Sequence, residues 1–351
     1  MHIREATPDD NAELQELQAK CPQGTTLIVS TVNTPDFFAR AKAYESYKVY
    51  VACEENRIIG SAACAIRNAV VNGQLSRVAY LFQAFVSPDY RRKGIASQLL
   101  QQRLDYLTQQ GAVLAYTLIM EGNIPSMRYV ESQGFKLHRT LAMPALAVHK
   151  EMDVISRGKI RSTTSEDLVA VAELLNETWQ DFELYEPTSA DALAQFVTRT
   201  PAYSFDNLLV LEDQGEILAC LGFWDWSQIM RVTVKALSLK IRMIGLLVDI
   251  ARYLRPMPRS LKPGDTLKQI MLTPIAFKDP RYLAVLLKYV NNQVLLRSIG
   301  QIFCVCERDH VLLSSMKGFI RIDTAMHLYI EPLQQNILMG DNPVFIDGID
   351  L

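Results

Sequence analysis

A segment at the amino terminus of the chain recurs near its middle. Residues 3–17, IREATPDDNAELQEL, resemble residues 160–175, IRSTTSEDLVAVAELL, at an offset of 157. Residues 54–62, EENRIIGSA, resemble residues 213–221, DQGEILACL, at an offset of 159. Two pairs of similar segments, in the same order and at nearly the same offset, indicate that one fold is duplicated within the chain.

The repeat divides the 351-residue chain into two predicted domains. The first covers residues 1–150 and the second residues 157–351, with a boundary in the polar stretch 150–159. Because 49% of the residues are hydrophobic, the chain has enough apolar material for a core in each copy.

Charge and cysteine content exclude several function classes. A net charge of −2 and a pI near 6.2 give no overall attraction to nucleic acid or to an anionic membrane. The longest apolar stretch, 243–254, is interrupted by Asp249 and Arg252 and is shorter than the ~20 residues of a membrane span. The six cysteines show no CxxC or zinc-site spacing, which predicts buried, reduced thiols and no metal. We therefore expect a soluble, cytoplasmic protein.

Alternating β-rich and helical runs predict a mixed α/β fold for the first copy. The order of these runs is β-α-β-β-β-α-β-α-β-β, which is typical of a mixed sheet with helices on its faces. The predicted elements are a strand at 1–6, a helix ending near 19, a hairpin of 48–53 and 57–66, a strand at 77–86, a helix at 95–109, a strand at 113–120, a helix at 124–132 and two closing strands within 135–149.

A strand-to-helix connection, VSPDYRRKGIASQLL at 86–100, has the composition of an anion site. Gly94 permits a positive φ or a close approach of the backbone, and Ala96 is small. The first amides of the following helix have no partner within it, and such helix starts hold phosphate groups. The sequence therefore predicts a diphosphate-binding loop. Three cations surround it, namely Arg91, Arg92 and Lys93.

This connection, with Asn123-x-x-Ser126 and the pair Gly134-Phe135, resembles the GNAT superfamily of acyl-CoA-dependent N-acyltransferases. The resemblance covers residues 1–150 and implies an acyltransferase domain with a coenzyme A site. With the repeat, it implies two tandem GNAT folds, each a mixed, mostly antiparallel sheet flanked by helices. Acetyl-CoA would be the co-substrate, without a metal. The implied cofactor contacts are Phe85, Val86, Arg91, Arg92, Lys93, Gly94, Ile95, Ala96, Asn123 and Ser126.

In that family the fourth strand splays from the fifth, and the thioester lies in the gap between them. The resemblance implies that the amides of Phe85 and Val86 hold the thioester carbonyl, that the diphosphate lies on residues 91–96, and that Asn123 reaches the pantetheine arm. Because a thioester is already activated, an amine held at attack distance needs mainly orientation, oxyanion stabilisation and loss of a proton.

The residues that would move protons depart from the family pattern. Many relatives carry an acid on the fourth strand as general base, whereas this strand offers only Gln83. Either Glu121 substitutes for it, or Gln83 positions a water, or the amine arrives neutral. The family's general-acid tyrosine lies four residues before the Gly-Phe pair, at Val130 here, and Tyr129 is one residue away. That residue is about 100° around the helix, so Tyr129 is either the general acid or a core aromatic.

The second copy repeats the pattern without the loop. Residues 266–277 match the long fourth strand, and KDPRYLAVLL at 278–287 follows with no glycine. Leu283 stands where the backbone would have to approach a phosphate. We expect a degenerate GNAT-like domain that has lost the nucleotide site and shapes the acceptor pocket or an interface.

An insertion at 227–263 in the second copy has no counterpart in the first. Apolar residues from Met230 to Ala251 recur at intervals of three and four, which predicts one helix of about six turns, covered on more than one side. The insertion holds eight Lys or Arg residues and one acid, Asp249, and opposite charges elsewhere in the chain could dock on it. Three interpretations stay open: a helix packed between the domains with a basic rim, a lid over an apolar or anionic acceptor, and a helix in a membrane interface.

These observations predict an N-acetyltransferase that moves an acetyl group from acetyl-CoA to an amine of a small-molecule or peptide acceptor, with the first copy active. One alternative is a coenzyme A-binding regulatory protein with little turnover. Another is an amino-sugar or thiol-cofactor acyltransferase resembling mycothiol synthase, which shares the two-copy plan but works from its second copy. We expect no nucleic-acid partner and no membrane contact, and a homodimer is compatible with the sequence.

Overall fold

The chain forms a mixed α/β structure in which two sheets are flanked by helices. A computed structural model describes residues 1–351. The elements of the N-terminal half are β1 (His2–Glu5), α1 (Asn11–Ala19), β2 (Leu27–Asn33), β3 (Ser46–Glu54), β4 (Arg57–Val71), β5 (Gln74–Val86), α2 (Ile95–Gln109), β6 (Leu114–Met120), α3 (Ile124–Ser132) and β7 (Lys136–Ala147).

The C-terminal half adds eight strands and four helices. They are β8 (Lys159–Ser162), α4 (Leu168–Trp179), α5 (Ala190–Arg199), β9 (Leu208–Asp213), β10 (Glu216–Asp225), β11 (Met230–Leu237), α6 (Leu239–Ala251), β12 (Thr266–Leu267), β13 (Gln269–Phe277), α7 (Pro280–Leu295), β14 (Gln301–Phe303) and β15 (Arg321–Pro332).

Twelve of the strands form one continuous sheet with the order β1-β3-β4-β5-β6-β15-β7-β14-β13-β10-β9-β8. From each edge of the sheet inward, five strands come from one half of the chain. The sixth strand is the last strand of the other half, β15 beside β6 and β7 beside β14. Only β5–β6 and β13–β14, at corresponding places, are parallel pairs. The expected mixed, mostly antiparallel sheet is confirmed, and the symmetric order is what two copies of one fold would produce. The domain bounds 1–150 and 157–351 stay a prediction.

Most local elements of the N-terminal half agree closely with expectation, but β2 was not predicted and the closing strands differ. Helices α2 and α3 have the predicted bounds. Two strands were expected within 135–149, which was wrong, because this segment forms the single strand β7. The neighbouring place in the sheet is taken by β15, which pairs with β7 from Arg321 to Ile330. The partner strand therefore comes from nearly 200 residues away, and no local pattern indicates it.

The insertion at 227–263 also differs from expectation. Residues 230–237 form β11, a strand with alternating burial, and only 239–251 form a helix, α6. β11 pairs with β2 and β12 in a separate three-stranded sheet. The expected cover is missing, because no residue of α6 is buried. The expected internal docking of its charges is limited to two ion pairs, Arg252 with Asp249 and Arg259 with Asp265.

The two halves share their largest hydrophobic core. A cluster of 71 buried residues takes members from both halves, from Leu14 to Ile349. A second cluster of 17 residues lies under α2 on the other face of the sheet. All six cysteines are free and buried, in agreement with the sequence. None of the helices has both the length and the apolar composition needed to cross a bilayer.

The repeated sequence segment folds in the same way in both halves. Arg4 Nη1 donates to Asp10 Oδ2 at 2.7 Å, and the same oxygen accepts the Thr7 amide at 2.7 Å, which caps the first helical turn. The hydrogen bond from Arg4 lowers the pKa of Asp10 to about 2. The same contacts recur in the second half between Arg161, Asp167 and Thr164.

Replacing Asp10 by Asn removes this ion pair and weakens the cap. We expect the free energy of unfolding at pH 7 to fall by about 1 kcal/mol in urea titrations. Since the pKa of Asp10 is lower in the folded protein than its ordinary value of 3.8, the difference between wild type and Asp10→Asn is present above that value and is lost as the pH falls towards 2. Asp9→Asn, an exposed neighbour in the same turn, is the control. An equal loss in both variants would contradict the prediction.

Candidate functional site

β5 and β6 run side by side for three residue pairs and then separate. Val78–Tyr80 pair with Leu114–Tyr116, and beyond them the two strands continue without pairing. Thr117 Oγ1 donates to the Leu81 carbonyl at 3.0 Å where the divergence begins. On its other side β6 pairs along its whole length with β15. A wedge-shaped opening results, called here the β5–β6 gap.

A bulge in β5 lies beside this gap. The register between β4 and β5 shifts between Ala63↔Phe82 and Ser61↔Phe85, and Gln83 has a φ of 49°. Gln83 is 8% exposed, yet neither atom of its side-chain amide has a hydrogen-bond partner. Buried polar groups in folded proteins are normally paired, so this amide is typical of a site that a ligand or water completes.

Of the two amides predicted to hold a thioester carbonyl, that of Val86 is better placed. The Ser87 amide donates to the Ile59 carbonyl on β4 at 2.9 Å, and the Phe85 carbonyl lies 3.3 Å from the position of a Cβ on Gly60. Because successive strand residues direct their N–H and C=O groups to opposite sides, Phe85 pairs towards β4 and Val86 is directed away from it. The Val86 N–H is therefore available on the side of the gap.

The connection from β5 to α2 leaves a row of backbone amides without partners. After a short turn at Pro88–Tyr90, Arg92 and Gly94 adopt positive φ values of 63° and 77°. The amides from Arg92 to Ser97 donate to no backbone or side-chain acceptor of the protein. They lie at the N-terminus of a 15-residue helix, whose dipole favours negative charge. We call residues 92–97 the amide row.

The side chains around the amide row suit a phosphate ligand. Arg91, Arg92 and Lys93 are exposed, and none of them forms an ion pair within the chain. Lys93 Nζ lies 4.5 Å from the centre of the Tyr90 ring. A Cβ on Gly94 would meet nothing within 4 Å, so this glycine faces open space. Its left-handed φ, rather than crowding within the protein, is what requires glycine here.

The first turn of α2 joins the amide row to the core. Ile95 is buried among the apolar residues under α2, and Ala96 is half-buried. Thus the first turn is anchored on its inner side while its amides remain open.

The predicted residues after β6 lie at the other wall of the gap. Asn123 is the N-cap residue of α3, and both it and Ser126 are half-buried, with no hydrogen bond from either side chain. Glu121 is exposed, and its amide donates to the Ala325 carbonyl on β15 at 2.8 Å. The Glu121 carboxylate itself forms no hydrogen bond and no ion pair within the chain.

Tyr129 faces the protein interior. Its ring packs against the apolar cluster under α2, and its hydroxyl is buried without a hydrogen-bond partner. Burial raises the pKa of Tyr129, and the neighbouring Arg103 and Ser97 oppose that shift. Because Ser97 belongs to the first turn of α2, the Tyr129 hydroxyl lies close to the amide row. Its ring thus packs in the core while its hydroxyl is left unpaired.

A buried polar cluster below the gap was not predicted from the sequence. Asp350, from the last residues of the chain, is fully buried among side chains of the N-terminal half. Its carboxylate accepts the Tyr116 hydroxyl at 2.8 Å and lies 2.9 Å from the Tyr44 hydroxyl and 3.4 Å from Arg67 Nη2. Burial raises the pKa of Asp350, and Arg67 opposes the rise. Tyr80 donates to the Asp350 backbone carbonyl. No local signal marks Asp350, since its partners lie more than 230 residues away in the chain.

The corresponding helix start in the second half is closed. Asp279 caps α7 by accepting the Arg281 amide at 2.8 Å, and its carboxylate also pairs with the Arg281 guanidinium at 2.7 Å. Pro280 occupies the first helical position and has no N–H, and Leu283 is 1% exposed. A carboxylate thus occupies the place where an anion would bind, which supports the expectation that this half has no nucleotide site.

Comparisons with known proteins agree with this geometry. The sequence profile described as the acetyltransferase (GNAT) family matches residues 12–135. No curated protein matches the chain. Among solved structures, N-myristoyltransferase of Saccharomyces cerevisiae with bound myristoyl-CoA is similar at a TM-score of 0.64 and 12% identity, over 99% of this chain and 83% of that chain. A GCN5-related N-acetyltransferase from Sphaerobacter thermophilus is similar at a TM-score of 0.56 and 13% identity, over 96% of both chains. At such identities the likeness shows the fold alone.

Replacing Gly94 by Asp places a carboxylate in the open space over the amide row. We expect the affinity for coenzyme A, measured by calorimetry, to fall at least about 100-fold through like-charge repulsion and lost amide contacts. Gly73→Asp is a matched control, because Gly73 has a φ of 74° and equally open surroundings in the β4–β5 turn. Unchanged affinity in Gly94→Asp, or an equal loss in Gly73→Asp, would show that the site is misplaced.

Proposed function

We propose that this chain, in which residues 12–135 are an acetyltransferase domain of the GNAT family, transfers an acetyl group from acetyl-CoA to an amine of a small molecule or peptide. The observation that carries the proposal is the amide row at the end of a strand that diverges from its neighbour. A diphosphate on the amide row would direct the pantetheine arm into the β5–β6 gap. Arg91, Arg92 and Lys93 would neutralise its charge, and Asn123 and Ser126 would face the arm from α3.

The proposed reaction is a direct attack of the amine on the thioester. The amine nitrogen forms a bond to the acetyl carbon, the carbon–sulfur bond breaks, the amine loses a proton and the thiolate gains one. The Val86 N–H would stabilise the developing oxyanion. Acetyl-CoA would supply the activated acyl group, and the chain would supply position, since orientation of two reactants contributes much of the rate.

Three side chains are proposed to assist proton transfer. The buried and unpaired amide of Gln83 would hold the amine or a water beside the bulge. The unpaired Tyr129 hydroxyl would protonate the departing thiolate. Glu121 is the nearest carboxylate after β6, and its exposed side chain would accept the amine's proton through solvent.

The closed end of the gap favours a short acyl group. The rings of Tyr80 and Tyr116 lie 5.1 Å apart, and Tyr80 stacks on Phe82 at 5.2 Å. The hydrogen bond from Thr117 to Leu81 closes the strands just above them. This tight packing supports a short acyl group, and acetyl-CoA is therefore proposed as the donor.

The preferred donor can be tested by thiol release. Purified protein, a library of amines and either acetyl-CoA or myristoyl-CoA are incubated, and free coenzyme A is measured. We expect amine-dependent release from acetyl-CoA and at least about tenfold less from myristoyl-CoA, with Gly94→Asp inactive. A preference for myristoyl-CoA would overturn the acetyl assignment, and release that is independent of Gly94 would overturn the site.

The roles of Tyr129 and Gln83 are tested by Tyr129→Phe and Gln83→Leu. We expect kcat to fall at least about tenfold in each variant, with the affinity for coenzyme A unchanged, because neither substitution removes a backbone amide of the amide row. Tyr106→Phe, a half-buried residue near the C-terminal end of α2, is the control. Wild-type kcat in Tyr129→Phe would assign this residue to packing alone.

A coenzyme A-binding protein with little turnover is the second candidate. It is favoured by the absence of any carboxylate on β5 and by the exposed position of Glu121. Binding of coenzyme A that requires Gly94, without thiol release for any amine, would support it. An enzyme that resembles mycothiol synthase in working from its second copy is disfavoured by the Asp279 cap on α7.

We also propose that the two halves, 1–150 and 157–351, are two copies of the fold, of which only the first binds coenzyme A. The shared sheet order and the repeated Arg–Asp–Thr cap support this proposal. A cytoplasmic location and a homodimer stay predictions.

A further inference from the structure

The helix α6 presents an apolar face that nothing in the chain covers. At about 100° per residue, its most exposed apolar residues fall on one side and continue into the following turn, while Ile244, which is 50% exposed, lies outside that side. The helical members are 58–72% exposed, and the two that follow are 91% and 87% exposed. They are Leu239, Met243, Leu246, Leu247, Ile250, Tyr253 and Leu254. This set is called the outer face of α6.

The opposite side of α6 is fixed to the rest of the insertion. A Cβ on Gly245 would lie 3.2 Å from Ser260 Cβ, and Ser260 Oγ donates to Asp249 Oδ2 at 2.6 Å. Ser238 caps the helix by accepting the Ile241 amide. These contacts hold the half-buried side against the loop that returns to β12. The outer face is therefore directed to solvent. A rotation of the helix that buried this face would break the contacts on the opposite side.

Positive charge surrounds the outer face. Lys240 and Arg242 lie on its two margins at about 100° per residue. The only acid within α6, Asp249, is turned towards Ser260 and Arg252. The three-stranded sheet that carries α6 contains no carboxylate. Six exposed cations of the insertion form no ion pair within the chain, namely Arg231, Lys235, Lys240, Arg242, Arg255 and Lys262.

We propose that the outer face of α6 docks onto the surface of an anionic phospholipid bilayer, with the helix lying in the interface. An apolar face with basic margins is what such a surface binds, since the side chains enter the acyl boundary and the cations meet the headgroups. A second copy of the chain fits less well, because a symmetric contact would bring the same unpaired cations against each other. This docking differs from the expectation of no membrane contact, because the net charge of the whole chain does not reveal a local basic patch.

Docking at this face would bring the β5–β6 gap near the bilayer. Ser238, which caps α6, donates its amide to the Thr26 carbonyl at 2.8 Å. The neighbouring Thr25 hydroxyl lies 3.5 Å from the position of a Cβ on Gly122, next to Asn123 at the wall of the gap. An acceptor amine presented at the surface of a membrane would thus reach the gap over a short distance. The docking itself does not depend on the proposed acetyl transfer.

Vesicle sedimentation with the full-length protein tests the docking. The protein is mixed at low salt with vesicles of phosphatidylcholine alone or of equal parts phosphatidylcholine and phosphatidylglycerol. We expect co-sedimentation with the anionic vesicles only, and loss of binding as salt is raised. Leu246→Gln with Ile250→Gln should weaken binding at least about tenfold, and Lys240→Gln with Arg242→Gln should do so by a similar factor.

Matched controls distinguish binding through the outer face of α6 from nonspecific hydrophobic binding. Leu75 and Leu338 are 62% and 75% exposed and lie outside α6, so Leu75→Gln with Leu338→Gln should leave vesicle binding unchanged. No sedimentation with anionic vesicles at low salt, or equal sedimentation with both vesicle types, would overturn the proposal. It would also be overturned by a dimer in analytical ultracentrifugation that Leu246→Gln with Ile250→Gln dissociates, because the outer face would then be covered by a second copy.

Discussion

The divergence of β5 from β6 is the constraint on which the rest of the site depends. The two strands share three residue pairs, whereas the other edge of β6 pairs with β15 along its whole length. β5 is therefore free to carry its last residues away from β6, and its unpaired edge faces an opening instead of a neighbouring strand. The bulge at Gln83 lies in this separating part of β5, and the pairing of Ser87 with β4 directs the Val86 amide towards the opening. The amide row lies where the diverging strand passes into α2.

The exchange of closing strands makes the two halves depend on each other. β15 completes the sheet beside β6, and β7 completes it beside β14. The end of the chain extends the exchange, because Asp350 pairs with Tyr116 and Arg67 beneath the gap. The half with the open helix start is thus built partly from residues of the other half. The second half keeps the same strand order, while Asp279 closes its own helix start.

Local features could be predicted from the sequence, and non-local ones could not. The bounds of α2 and α3 follow from periodic apolar residues, and the loop before α2 follows from Gly94 and its cations, because these signals lie within a few residues of each other. The insertion of β15 beside β7 and the burial of Asp350 depend on contacts across hundreds of residues, which a single sequence does not mark. α6 shows a third limit. Its apolar periodicity predicted a covered helix, since hydrophobic residues indicate burial only when a partner within the chain exists.

Hydrogen exchange of the amide row shows whether it holds the diphosphate of coenzyme A. The backbone amides of residues 92–97 have no acceptor in the chain, so they should exchange rapidly in the free protein. We expect coenzyme A to slow their exchange and pantetheine, which lacks the diphosphate, to leave it unchanged. Unchanged exchange at residues 92–97 with saturating coenzyme A, or protection at the start of α7 in its place, would contradict it.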